Sequence, residues 1–141
     1  MKREVINSPK LKVPKGIPLS QGIKVGSVLY LSSMVAFNPK TGKIEAEGIQ
    51  EQTHQSIRNC ELMLKAGGAS LKDVVRVMVL LKKPKDFEKM NKVYATYFRK
   101  DPPARTVVKI GAHLPKALIS IMMTAVITDS TDKPPQPVLE G

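Results

Sequence analysis

Between Asp73 and Lys82 the chain runs Val74-Val75-Arg76-Val77-Met78-Val79-Leu80-Leu81, a short block rich in β-branched residues. Such a block suits a buried, pleated strand, so it reads as the central strand of a sheet with both faces covered. On either side the apolar period becomes helical. From Ile49, Thr53, Ile57, Cys60 and Leu64 recur at i, i+4, i+7 and i+11, Met63 widens the stripe, and Gln50, Glu61 and Lys65 fall outside it. Gly67-Gly68 closes that helix and Lys65 complements its dipole. After the strand, Pro84 stops extension and Asp86 is placed to cap a second helix carrying Phe87, Met90, Tyr94, Tyr97 and Phe98. Asp101-Pro102-Pro103 ends it.

The remaining segments alternate or turn. Ile23–Val25 and Val28–Leu31 flank Gly26-Ser27, a Gly-X pair suited to a tight hairpin. Asn38-Pro39-Lys40-Thr41-Gly42 is a strong turn signal. Arg105–Ile110 and Ala117–Thr128 read as two more strands, separated by Gly111 and Pro115. Residues 1–18, with Pro9, Pro14 and Pro18, read as extended or loop-like. The order hairpin, helix, strand, helix, strand, strand describes a layered α+β domain with helices on one face of a sheet. Residues 1–128 form that domain, and 129–141, with Pro134, Pro135 and Pro137, read as a flexible tail.

Composition narrows the function classes. A length of 141 residues with 42% hydrophobic content fits one domain with a genuine core, of a size that often gains from association. No apolar stretch is long enough to cross a bilayer and the N-terminus lacks the apolar core of a secretory signal, so the expectation is a cytoplasmic protein without membrane contact. A single cysteine, Cys60, forms no internal disulfide, and no Cys/His spacing suits a metal, so no metal or other cofactor is expected. The net charge of +11 attracts anions, but the lysines are dispersed and only six Phe and Tyr could stack bases. No GxxxxGK[ST] or GxGxxG string is present. Nucleic acid therefore ranks last among partners.

Several strings, in order and at matching spacing over residues 7–128, resemble the RidA (YjgF) family. They are Ser20-Gln21-Gly22, the hairpin to Ser32-Ser33, Asn38-Pro39-Lys40-Thr41-Gly42, Glu51-Gln52-Thr53, Ala66-Gly67-Gly68-Ala69-Ser70-Leu71 and Asp73-Val74-Val75. Asp86-Phe87, Met90-Asn91-Lys92-Val93-Tyr94, Tyr97-Phe98, Pro103-Ala104-Arg105-Thr106 and Leu114-Pro115-Lys116 follow. The resemblance implies a chorismate-mutase-like protomer with a mixed sheet. It also implies a homotrimer, sheets inward and helices outward, with three ligand clefts between subunits. Family enzymes hydrolyse reactive enamines and imines to 2-oxo acids and ammonia, so the implied ligand is a small carboxylate, a 2-imino or 2-oxo acid.

By the same resemblance Arg105 is the carboxylate anchor, a task suited to its planar, permanently charged fork. Ser32, Leu19, Asn91 and Val107 are the other expected ligand-contacting positions. The family's water-positioning glutamate has no counterpart. A gapped register puts Ser120 there and an ungapped one Ile121, and Ala117–Thr128 contains no acid. Ser120 is then the candidate that holds water, although serine is a poor base and general acid–base help is commonly worth about 10²–10⁴ in rate. Leu19 replaces a cleft tyrosine, Ser33-Met34 a Gly-Gln pair, and Val107 a cysteine found in several members, which excludes a thiol mechanism at that point. Cys60 reads as core packing, His54 as lying off the helix stripe and His113 as a loop residue, while Glu51 and Asp101 are remote sources of an acid. Three functions follow in rank: imine deaminase, non-catalytic carboxylate binder, and RNA binding or cleavage.

Overall fold

The computed structural model describes residues 1–12, 16–109 and 114–128. Its strands are β1 (Arg3–Ile6), β2 (Gly22–Val25), β3 (Val28–Leu31), β4 (Met34–Val35), β5 (Val74–Leu81), β6 (Ala104–Lys109) and β7 (Ile119–Val126). The helices are α1 (Ile49–Ala66) and α2 (Phe87–Tyr97). One mixed sheet runs in the order β1-β2-β3-β7-β5-β6, with β4 paired to β7. The apolar block that reads as a central strand is β5, antiparallel to β7 and parallel to β6. A parallel pair needs a crossover, and α2 supplies it. Tail residues 129–141 and His113 lie outside the described residues.

Both helices lie on one side of the sheet, as the pattern predicts. That side buries Val77, Val79 and Leu81 of β5 with Ile119, Ile121, Met123 and Ala125 of β7. The other side is open within the chain itself, so the chain covers one face of β5 where the pattern leads one to expect both. Met78 and Leu80 there are half-buried, Arg76 is exposed, and neighbouring Tyr30 is 51% exposed. The cause is numerical: the described residues contain two helices, and both are used on one face.

In α1 the stripe Ile49, Thr53, Ile57, Cys60, Met63 and Leu64 is buried, as its period requires. The helix closes through Gly68 at φ +82°, whose N–H donates to Lys65 O at 3.0 Å while Ala69 N–H donates to Leu64 O at 2.7 Å. The β2–β3 turn uses Gly26 at φ +59°, the conformation a Gly-X hairpin needs. Two strands escaped the sequence reading: β1 is almost fully exposed and β4 is two residues long, so neither has an apolar period of its own. Two details of α2 also differ. Asp86 stands before the helix without a side-chain cap bond, and Phe87 is 41% exposed while Val93 takes a core position. Among the described residues no helix is long and apolar enough to cross a membrane.

Buried amides tie loops to this layer. Gln52 Nε2 donates to Ala46 O and Lys116 O, both at 2.9 Å, and its Oε1 accepts from Leu118 N at 2.8 Å. Asn59 Nδ2 donates to Val35 O at 3.0 Å and Phe37 O at 2.9 Å, holding β4 beneath α1. Gln52→Leu preserves bulk but strips three backbone groups of their partner, so a loss of roughly 2–4 kcal/mol is expected in urea denaturation. A loss below about 0.5 kcal/mol would show that water replaces the amide without cost.

Candidate functional site

Strand β6 is an edge, and its first residues follow Asp101-Pro102-Pro103, where Asp101 adopts φ +47°. The turn brings the chain from the end of α2 to the start of β6, so the helix lies back along the strand it has just delivered. Phe87, Asn91 and Tyr94, at i, i+4 and i+7, share one helix face. Arg105 reaches that face: its Nη1 donates to Asn91 Oδ1 at 2.7 Å, and its Cζ lies 4.8 Å from the Tyr94 ring centroid and 5.8 Å from that of Phe87. Each contact orients the guanidinium and none neutralises it, because an amide oxygen and π faces carry no net charge. Among the described residues no carboxylate pairs with Arg105, and its side chain is exposed. An exposed, oriented and uncompensated cation is what a receptor for a small carboxylate requires.

The support beneath Arg105 is tightly packed. Tyr94 is 6% exposed, and Phe98 packs on its ring at 4.8 Å. Burial pushes the Tyr94 phenol up to about 12, against the opposing pull of the Arg105 charge. Its hydroxyl is buried with no hydrogen-bond partner among the described residues. Sequence reasoning assigned Phe87 and Tyr94 to the core stripe and missed their service to Arg105. The available signal was their spacing around Asn91.

A second group of expected site residues collects elsewhere. Ser32 follows β3, its N–H donating to Gln21 O at 2.9 Å and its hydroxyl to Ser20 O at 2.6 Å, which clips down the loop bearing Leu19. Leu19 itself is 47% exposed. Ser120 on β7 pairs with Val35 of β4, three residues past Ser32. On their shared neighbour β5, Arg105 is registered with Val77 and Ser120 with Leu80. Three residues apart on a strand, those positions project to opposite faces, so the chain holds Arg105 on the helix side and Ser120, which is buried, on the other. The structure thus brings Arg105 to Asn91, with half-buried Val107 two residues along the same face, and Ser32 to the Leu19 loop. It does not unite the two groups within one chain.

The other candidates are placed simply. Ile121, the alternative to Ser120, is fully buried against the helices, its carbonyl accepting from Cys60 Sγ at 3.6 Å. Cys60 is itself buried, and burial pushes its thiol far above the ordinary range, which leaves it unreactive. His54 Nδ1 lies 2.8 Å from the Tyr97 hydroxyl, and burial, aided by Arg58, holds its pKa below the usual value. Glu51 is exposed in the first turn of α1 and Asp101 is exposed before β6. Among the described residues no three His, Cys, Asp or Glu side chains gather as a metal site.

This mixed sheet with two helices on one face, and an arginine backed by aromatic rings on its edge strand, defines a class of small α+β proteins. The family model Endoribonuclease L-PSP matches residues 12–127. A RutC family protein of Saccharolobus solfataricus is 43% identical over 123 residues, covering 87% of this chain and 97% of that protein. The 2-iminobutanoate/2-iminopropanoate deaminase of Mus musculus is 35% identical over 110 residues, covering 78% and 81%. Among solved structures, E. coli TdcF with bound serine superposes with a TM-score of 0.81 at 26% identity, covering 89% of this chain and 99% of that one. The chain belongs to the Endoribonuclease L-PSP family, the RidA/YjgF proteins.

Tyr94→Phe keeps the ring beneath Arg105 and removes an unpartnered buried hydroxyl, so stability at pH 7 should be equal or higher by up to about 1 kcal/mol. The sign at high pH follows from the raised phenol pKa. Its contribution is intact below the ordinary value of 10 and is lost as pH rises toward 12. The Phe variant lacks that loss, so its advantage should grow between pH 10 and pH 12. Denaturant titrations across that range check this, and a Phe variant several kcal/mol less stable at pH 7 would mean that the hydroxyl is bonded after all.

Proposed function

We propose that the protein hydrolyses 2-imino acids, or their enamine tautomers, to 2-oxo acids and ammonia, in clefts formed between subunits of a chorismate-mutase-like homotrimer. The observation that carries this reading is Arg105, exposed and held by Asn91 and Tyr94 with its charge unpaired. The mouse relative's name specifies 2-iminobutanoate and 2-iminopropanoate, and the superposed TdcF holds serine; both ligands carry a carboxylate beside the reacting or amino-bearing carbon. Arg105 grips that carboxylate. Water adds to the C=N carbon, the nitrogen takes up protons, and ammonia leaves as the carbonyl forms.

The subunit arrangement is supported by two observations. The open sheet face carries Ile23, Val28, Tyr30, Met78, Leu80, Met122 and Val126, an apolar surface that gains by burial against other copies. Ser120 projects away from Arg105 in one chain, so a neighbouring copy is the natural source of the group that meets it. Ser120 then holds water through its hydroxyl, without the basicity of a carboxylate.

That substitution favours a second reading, a trimer that binds carboxylate metabolites without turning them over. Residues 104–128 contain no Asp or Glu, so neither β6 nor β7 offers a replacement base. RNA binding stays third, because the paired acid and base or stacking platform it needs is not what surrounds Arg105.

A threonine dehydratase assay, in which 2-iminobutanoate forms in situ, separates the first two. Accelerated 2-oxobutanoate release by wild type, abolished by Arg105→Ala and raised about 10²-fold by Ser120→Glu, supports the deaminase. Silence in wild type with 2-oxo acid binding retained supports the binder. Light scattering should give a mass three times the 15.5 kDa chain, and replacing Met78 and Met122 with Lys should break that assembly.

A further inference from the structure

Strand β6 offers more than one cation to a ligand. Residues Arg105, Val107 and Lys109 alternate along it and so project to the same side, with Lys109 registered to Leu81 as Arg105 is to Val77. Lys109 is exposed and forms no hydrogen bond or ion pair with the described residues. By contrast the nearby Lys82 has its Nζ committed to Pro115 O at 2.7 Å. The two Cα atoms of Arg105 and Lys109 are about 13 Å apart along a strand, a gap that two long side chains can close from both ends.

The Arg105 guanidinium is held against α2, its Cζ 4.8 Å from the Tyr94 ring and 5.8 Å from the Phe87 ring. It is thereby fixed on the side of β6 that Lys109 shares. Between them on that face lies half-buried Val107, an apolar side chain suited to the methylene groups of a ligand. The electrostatic setting is one-sided: residues 73–128 carry eleven Lys and Arg against four acids, none of them after Asp101.

We infer that the preferred ligand is a dicarboxylate, a 2-imino acid whose side chain ends in a second carboxylate, with Arg105 taking the first and Lys109 the second. This rests on the deaminase reading for its chemistry, but the recognition it describes does not. The imines of aspartate and glutamate have the required form, two carboxylates joined through one or two methylene groups and the imine carbon. Water adds to that carbon and ammonia leaves, as for a monocarboxylate, and neither carboxylate changes.

Imines generated in situ from alanine and from glutamate by amino-acid oxidases provide the test, with hydrolysis followed as 2-oxo acid formation above the spontaneous rate. Wild type should show a higher kcat/KM for the glutamate imine, and Lys109→Met should lower the ratio of the two kcat/KM values about tenfold. Lys109→Glu should lower it further by repelling the second carboxylate, and Lys65→Met, on the outward side of α1, controls for net charge. A ratio unmoved by either Lys109 variant overturns the proposal. Calorimetric binding of 2-oxoglutarate against 2-oxobutanoate separates the two failures. A dicarboxylate preference without turnover sinks the deaminase reading and keeps this one, whereas turnover without that preference does the reverse.

Discussion

Everything in this fold is positioned by the docking of α1 onto the β5–β7 pair. Apolar burial supplies the attraction through Ile57, Cys60, Met63 and Leu64 above Val77, Val79, Ile121 and Met123. Direction comes from polar side chains within the same interface. Gln52 satisfies three backbone groups in two loops, and Asn59 satisfies two more around β4. Buried backbone groups without partners are costly, so these amides restrict where the helix can sit along the sheet far more narrowly than apolar contact could. The loop entering β7, which carries Leu114-Pro115-Lys116, is held by the same Gln52 and by Lys82.

The candidate site follows from that frame by one more step of electrostatics. A guanidinium bonded to a carboxylate would be a structural ion pair with little attraction left for a ligand. Here the partners are an amide oxygen and aromatic faces, which hold Arg105 in orientation while leaving its full charge available. The surrounding excess of lysine adds to that field. Ser120 projects to the opposite side of the sheet from Arg105 and is itself buried, at 8% exposure.

The family's chemistry and this chain's residues diverge at a single demanding point. Carboxylate capture needs a fixed cation, and Arg105 is held in place as one by Asn91 and Tyr94. Activating water needs a group whose basicity suits neutral pH, and the hydroxyl of Ser120 lacks it. Membership of the family is secure on the match to residues 12–127, but a fold hosts a function only through its site.

Much of this was legible in the residues alone. The period of α1, the glycines that close it, the Gly26-Ser27 hairpin and the β-branched run of β5 each report local backbone preference, and local preference survives in sequence. Arg105 stood out as a candidate too, because its Pro-Ala-Arg-Thr context is contiguous. Strands β1 and β4 were not, since a short exposed strand exists only by hydrogen-bonding to a neighbour that the sequence does not name. Nor were the rings beneath Arg105: Phe87 and Tyr94 have the period of core residues, and only the return of β6 along α2 gives them a cation to hold. The sequence by itself determined the two helices and the longer strands, and singled out Arg105 as the candidate anchor. Tertiary structure alone decided that Arg105 and Ser120 face opposite ways, because the face a strand residue occupies depends on pairing register across the sheet, which no local pattern encodes.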